Sequence, residues 1–172
     1  MYLKKANIND FDLIMSILKD GANQLAERGI DQWQGDYPNG QHVKDDISSG
    51  YAWLARSDDE KTVGTLAIVP GPDVYYQNLD GKWLVDTDDY LVIHRVAIHS
   101  DHTGKGYASK LFETVLDALK EKYPNDKSIR IDTHQDNKVM QHLIEKNGFQ
   151  RVGKLHGVYQ KDEISYVYEQ VI

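Results

Sequence analysis

The sequence predicts an α/β (α+β) chain: a mixed, mainly antiparallel sheet with a central parallel strand pair, flanked by helices. Three observations predict it. Residues 90–147 alternate strand, helix, strand, helix, and strands joined through a helix run parallel. The segments on either side read as strands joined by short polar connections, which run antiparallel. The helices carry apolar residues at 3.6-residue spacing along one face, as helices covering a sheet do.

Asn9 reads as the cap of a first helix whose apolar positions are Phe11, Ile14, Met15, Leu18, Ala22 and Leu25, with Gly29 as its stop. The stretch IDQWQGDYPNG, Ile30 to Gly40, is a loop by its Gly, Pro, Asn and Asp content, and a short helix follows near His42–Ile47. YAWLAR (51–56) and TVGTLAIV (62–69) read as strands joined by the polar turn SDDEK. Residues 70–89 are aromatic but show no period, and read as loop. YLVIHRVAIH (90–99) is apolar on both faces at most positions, as a buried central strand is. After the glycines of TGKGYA, a helix carries Ala108, Leu111, Phe112, Val115, Leu116 and Leu119 on one face, and YPND ends it. SIRIDTH (128–134) alternates as a strand. Asp136 or Asn137 then caps a helix with Val139, Met140, Leu143 and Ile144 on one face, closed by Gly148. RVGKL and ISYVYEQVI are the last two strands.

The 172 residues contain no repeat and no low-complexity linker, so one domain spanning 1–172 is expected. A net charge of −7 argues against broad nucleic-acid binding, though not against one local anion pocket. The chain has no cysteine, which excludes disulfides, cysteine nucleophiles and thiolate metal sites. No run approaches the roughly 18 apolar residues of a membrane span, and MYLKKANIND lacks a signal-peptide core. A cytoplasmic protein without membrane association is the expectation. No spacing among the histidines and acids makes a metal site, so none is expected.

TGKGYA, Thr103 to Ala108, sits where a β-branched run ends and an amphipathic helix begins. Glycines there let backbone amides approach a ligand, often a phosphate. A Walker A loop is excluded, because Gly106 follows Lys105 where Ser or Thr is needed and no glycine stands four residues upstream. A dinucleotide fingerprint fits poorly, because Ser109 holds the third glycine position and several elements precede the motif. A glycine-lined turn without a ligand and a pyrophosphate site both stay open.

The strand, loop and helix together resemble the acetyl-CoA-binding region of the GNAT N-acetyltransferase superfamily. Its pattern, Gln/Arg-x-x-Gly-x-Gly/Ala, is matched by Gly106 and Ala108, while Thr103 departs from it. NKVMQHLIEKNGF (137–149) resembles the family's Asn-led helix ending in Gly-Phe. GIDQWQ, DYPN, VIHRVAI and DTHQDN together resemble one bacterial branch of small GNAT proteins. The resemblance implies acetyl-CoA as cosubstrate, with its pyrophosphate on the amides of Gly104, Lys105, Gly106, Tyr107 and Ala108 at a helix N-terminus, where the macrodipole favours an anion. Thr103, Ser109 and Asn137 belong to the same region, and Lys105 either adds charge or is a solvated loop lysine. The pantetheine is implied to lie along Val96, Ala97 and Ile98, where the sheet splays and an amide can also stabilise the thioester oxyanion.

The resemblance further implies direct attack of an amine, small molecule or peptide, on the thioester. The amine must first lose a proton, since an alkyl ammonium has a pKa near 10. Many family members supply a tyrosine to the leaving thiolate from a position that is Ile144 here, and isoleucine cannot donate. His134 and His94 are the candidate bases, and a hydrogen-bonded structural histidine is the commoner role for either taken alone. His134 is preferred, because it ends a strand where parallel-sheet ligands lie and Asp132 stands on its strand face to orient it. Tyr90, Tyr107 and Tyr159 are further donors without positional support. Trp33 and Tyr37 fall in the loop that borders the family's acceptor site, with core packing the alternative for Trp33. The family also allows a homodimer. Two other classes compete with an enzyme: a catalytically silent acyl-CoA-binding or sensing module, and a nucleotide-binding domain.

Overall fold

The computed structural model describes residues 1–172 and is built on one eight-stranded sheet. In chain order the elements are β1 (Tyr2–Lys5), α1 (Phe11–Glu27), α2 (Gly40–Ser48), β2 (Ala52–Arg56), β3 (Thr62–Pro70), β4 (Asp80–Gly81), β5 (Tyr90–Ile98), α3 (Tyr107–Lys122), β6 (Ser128–His134), α4 (Lys138–Lys146), β7 (Gln150–His156) and β8 (Ile164–Val171). The spatial order is β1-β2-β3-β5-β6-β8-β7-β4. Only β5 and β6 run parallel; every other neighbouring pair is antiparallel. The mixed, mainly antiparallel sheet and its central parallel pair are therefore as the sequence implied.

Asn137 caps α4 by accepting the Met140 amide at 3.1 Å, and Gly148 follows the helix at φ +91°, as expected. The start of α1 differs from expectation. Asn7, not Asn9, is the capping side chain, and it caps a 3₁₀ turn over Ile8–Asp10. Asp10 reciprocates on the Asn7 amide at 2.9 Å. The strand YLKK escaped the sequence reading because four residues with two lysines show no period; its pairing to β2 holds it in place. Residues 70–89 are mostly loop, but one that is pinned. The Arg130 guanidinium lies between the rings of Trp83 and Tyr90, at 3.7 and 3.8 Å from their centroids, and pairs with the buried Glu169.

Two irregularities in β5 create the site. Parallel pairing with β6 runs from Tyr90↔Ser128 to Ile93↔Ile131 and stops there. Beyond it, residues 94–98 of β5 and 132–134 of β6 diverge, so the β6-facing backbone edge of β5 has no strand neighbour. On its other side β5 bulges against β3, between the pairs Ala67↔His94 and Thr65↔Ala97. Arg95, one of the two residues that stand opposite Leu66 there, has φ +54°, a left-handed conformation uncommon outside glycine. The bulge inverts the side-chain alternation. Leu91 and Ile93 face the core under α3 and α4, and after the bulge Val96 and Ile98 face it, while Ala97 turns to the core under α1.

The larger core packs Leu111, Phe112, Val115 and Leu119 of α3 and Ile144 of α4 onto Leu91, Ile93, Ile129 and Ile131 of the central pair. Each such side chain contributes about 1.5–3 kcal/mol when fully buried. A second core beneath α1 joins Ile14, Ile17 and Leu18 to Ala52, Leu54 and Ala97. Both cores hold the splayed ends of β5 and β6 rigidly while leaving a gap between them.

Candidate active site

Three cavities meet at that gap. The first, 530 Å³, is walled by α1, the end of β5 and the starts of α3 and α4, and its lining includes Arg28, Val96, Ala97, Ile98 and Met140. The second is a throat of 40 Å³ at the splay itself, lined from β5 by His94, Arg95 and Val96 and from β6 by Ile131, Asp132 and Thr133. The third, 420 Å³, opens on the far side beneath α2 and holds Asp36, Asp45, Asp46 and Asp73. Gln32, Trp33, Val96 and Met140 line both the first cavity and the throat; Tyr37, His94, Arg95 and Tyr159 line both the throat and the third. The three cavities thus adjoin through shared wall residues where the parallel pair opens.

Of the residues expected to hold a cofactor, Val96, Ala97, Ile98, Thr103, Ala108 and Asn137 line the first cavity. Gly104, Lys105, Gly106, Tyr107 and Ser109 form the loop and first turn beside it and are not in its wall. Gly104 and Gly106 both have φ +76°, and an added Cβ on either would meet nothing within 4 Å. Glycine is thus required there by backbone conformation, and the space above the loop is free for a ligand. The Thr103 hydroxyl is taken, donating to the Ser100 carbonyl at 2.9 Å. Tyr107 turns inward against the core and lies edge-on to His102, with centroids 6.2 Å apart. The Asn137 amide donates to the Gln32 side chain at 2.8 Å besides capping α4.

The two histidines exchange places. His134 lines none of the three cavities; its ring is buried, and Nδ1 accepts the Asp136 amide at 3.0 Å. His94 stands where throat and third cavity join, with Nε2 3.3 Å from the Asp73 carboxylate. The geometry therefore separates the two candidates: His134 accepts the Asp136 amide in the tight turn after β6, whereas His94, beyond the last β5–β6 pair, faces the throat. Burial raises the Asp73 carboxyl, but the hydrogen bond and charge of His94 and the Tyr75 and Tyr76 amides outweigh it and hold it below its usual range.

Asp132 does not orient His134 either. Its Oδ1 accepts the hydroxyls of Tyr76 at 2.6 Å and Tyr159 at 3.0 Å. Burial pushes the Asp132 carboxyl up, and burial together with that carboxylate pushes both tyrosines well above their ordinary value. Tyr37 packs against Tyr159 with ring centroids 4.6 Å apart and planes tilted by 39°, and burial pushes its phenol up to about 12. Trp33, at φ +63°, packs over Gly21 and Ala97 yet also walls the first cavity and the throat, so core packing and site lining coincide. Arg95 grips Asp46 with two bonds of 2.7 Å and donates to the Tyr37 hydroxyl at 2.8 Å, which ties the bulge to α2. Thr133, 1% exposed, presents a hydroxyl with no hydrogen-bond partner. Ile144 is fully buried in the core, so that position offers the passage no donor.

Arg28, Asp73, Arg95, Thr133 and Glu163 went unread in the sequence. Asp73 and Tyr76 lie in the stretch without a period, and the Tyr76–Asp132 bond spans 56 residues. An arginine inside an apolar strand, Arg95, was the one available signal.

A family model described as acetyltransferase (GNAT) family matches residues 22–149. A GNAT-family acetyltransferase from Streptococcus agalactiae is 34% identical over 99% of this chain and 94% of its own, with a TM-score of 0.84. A GNAT-family acetyltransferase from Listeria monocytogenes shares the fold at 19% identity and a TM-score of 0.75, over 99% of this chain and 94% of that one. So does an aminoglycoside acetyltransferase solved with coenzyme A, at 20% identity and a TM-score of 0.68, again over 99% and 94%. No curated protein matches the sequence.

Proposed function

The chain belongs to the GNAT acetyltransferase family, and on that premise we propose that it transfers the acetyl group of acetyl-CoA to the nitrogen of a cationic amine by direct attack on the thioester. The observation that carries this reading is the line of three adjoining cavities through the open end of the β5–β6 pair, which we read as one passage. One end is bordered by free helix-terminal amides and the other is acidic.

The substrate acetyl-CoA fits the first cavity. Its pyrophosphate suits the amides of residues 104–108 and the N-terminal end of the α3 macrodipole, with Arg28 adding positive charge from the opposite wall. Its pantetheine suits the unpaired backbone edge of residues 94–98. The thioester then falls in the throat, where β5 amides and the Thr133 hydroxyl are donors for the carbonyl oxygen or the departing sulfur.

The amine suits the third cavity, where four aspartates face one arginine. Asp46 is engaged by Arg95, which leaves Asp36, Asp45 and Asp73 to attract a cation. His94 is the base. Asp73, an acceptor, holds the proton on Nε2, so Nδ1 presents a lone pair. The ammonium gives one proton to His94, directly or through water. The free amine attacks, the C–N bond forms and the C–S bond breaks. The second nitrogen proton passes to sulfur.

The test is thiol release from acetyl-CoA with spermidine, kanamycin, lysine and tyramine, each product identified by mass. Release together with a product heavier by one acetyl group is expected for at least one cationic amine, and none with matched alcohols. A silent acyl-CoA-binding module is the second reading, favoured by Ile144. Tight CoA binding with no turnover on any amine would establish it.

A further inference from the structure

We propose that Glu163 is the outlet through which the proton of each turnover leaves the buried throat for solvent, a proposal that rests on the N-acetyltransfer reading above. The reaction requires such an outlet. R–NH₃⁺ + CH₃CO–S–CoA gives R–NH–CO–CH₃ + HS–CoA + H⁺. Of the three protons on nitrogen, one stays on the amide, one goes to sulfur and one is left over. His94 must shed that proton before it can act again.

The two wide ends of the passage are the two substrate cavities, so both are filled when the proton is taken. The throat has a third way out. Glu163, in the turn before β8, lines the throat and also floors a surface hollow formed with His156, Gly157, Lys161 and Asp162. It is the one residue common to throat and hollow. The four hollow residues are exposed, while Glu163 is 8% exposed. No hydrogen bond or salt bridge fixes its carboxylate, so it is free to take and release a proton.

Asp132 connects the base to this outlet. Its carboxyl is influenced by the charge of His94, and Glu163 is influenced in turn by the charge of Asp132. Oδ1 is occupied by two tyrosines, Oδ2 carries no hydrogen bond, and Asp132 lines the throat. Once the acyl group has been transferred, the throat's 40 Å³ admits a bridging water. The proton passes from imidazolium by way of Asp132 and water to Glu163, and from Glu163 to base in solution.

The groups facing Glu163 tune it for that task. Asp132 from β6 and Asp31 from the loop after α1 repel its negative charge. The hollow adds His156 from β7 with Lys161 and Asp162. Burial first, then Asp132 and Asp31, push the carboxyl up to about 7, where it accepts and gives protons equally well at neutral pH.

The test compares the wild type, Glu163→Gln and Glu163→Asp with the amine that ranks first among those named above. Turnover is followed from about pH 6 to 9 in dilute and concentrated imidazole. Glu163→Gln should lower kcat at least tenfold near neutral pH while both KM values hold, and concentrated imidazole should restore the rate by carrying the proton itself. Glu163→Asp, whose carboxylate is withdrawn by one methylene, should lie between with the same rescue. An unchanged kcat in Glu163→Gln overturns the proposal. So does a loss in either variant that is indifferent to imidazole, since that is what a merely structural role would produce. Absence of wild-type turnover on every amine would instead overturn the N-acetyltransfer reading, and the outlet with it.

Discussion

Replacing Glu163 with glutamine should stabilise the protein at neutral pH and leave it unchanged in mild acid. The carboxyl moves from an ordinary value of 4.5 in the unfolded chain to about 7 in the folded one. Between those values the folded protein binds the proton that the unfolded chain has released. Stability therefore falls as pH rises from 4.5 to 7, and above 7 the full penalty persists. The shift corresponds to about 3 kcal/mol at 1.36 kcal/mol per unit, and to about 2 kcal/mol once water in the surface hollow screens the charge. Glutamine keeps the shape and cannot ionise. Urea unfolding followed by circular dichroism from about pH 4.5 to 8 measures the difference between the two proteins. That difference should be near zero at the acid end and reach about 2 kcal/mol in favour of Glu163→Gln at the other. A difference that does not vary with pH would refute the reasoning, because it would place the Glu163 carboxyl at its ordinary value.

Gly106→Val should weaken acetyl-CoA binding at least tenfold by calorimetry, since valine resists φ +76° and its side chain fills the space above the loop. Thr103→Ala should change that affinity by less than about 1 kcal/mol, because the hydroxyl is spent on Ser100 rather than offered to a ligand. His94→Ala should lower kcat/KM at least tenfold near neutral pH with acetyl-CoA affinity intact, and the loss should shrink toward about pH 9.5, where more amine is already deprotonated. His134→Ala should lower the unfolding free energy by about 1 kcal/mol and spare the rate, because it removes the acceptor of the part-buried hydrogen bond from the Asp136 amide; the opposite pattern in the two histidines would return the base to His134.

The fold was legible because its signals are local. The period of Leu111, Phe112, Val115 and Leu119 names a helix, the apolar run from Tyr90 names a buried strand, and their alternation with SIRIDTH forces a parallel pair. The left-handed turn at Gly104 and Gly106 was legible for the same reason, since a loop's conformation is written in its own glycines. The throat around His94 was not. It depends on a bulge that inverts β5 after Ile93 and on Asp73 and Tyr76 arriving from a segment without period. Whether a strand histidine faces a gap or a turn is decided by where pairing with the neighbouring strand ends. Residue types within His94's own strand carry no record of that, so the rule that ligands sit at strand C-termini ranks His134 first, and the open end of the strand pair favours His94.

The most direct test of a single passage joining an acetyl-CoA cavity to an acidic amine cavity is calorimetry with a conjugate. Its CoA sulfur carries an acetyl spacer amide-linked to an aminobutyl chain, and CoA alone and the uncharged butyl conjugate serve as references. If the throat at His94 and Thr133 joins the two cavities, the aminobutyl conjugate should bind at least tenfold more tightly than either reference, because its ammonium reaches Asp73 and its neighbours as an intramolecular ligand. Equal affinity for all three compounds would contradict the passage and the direct attack built on it.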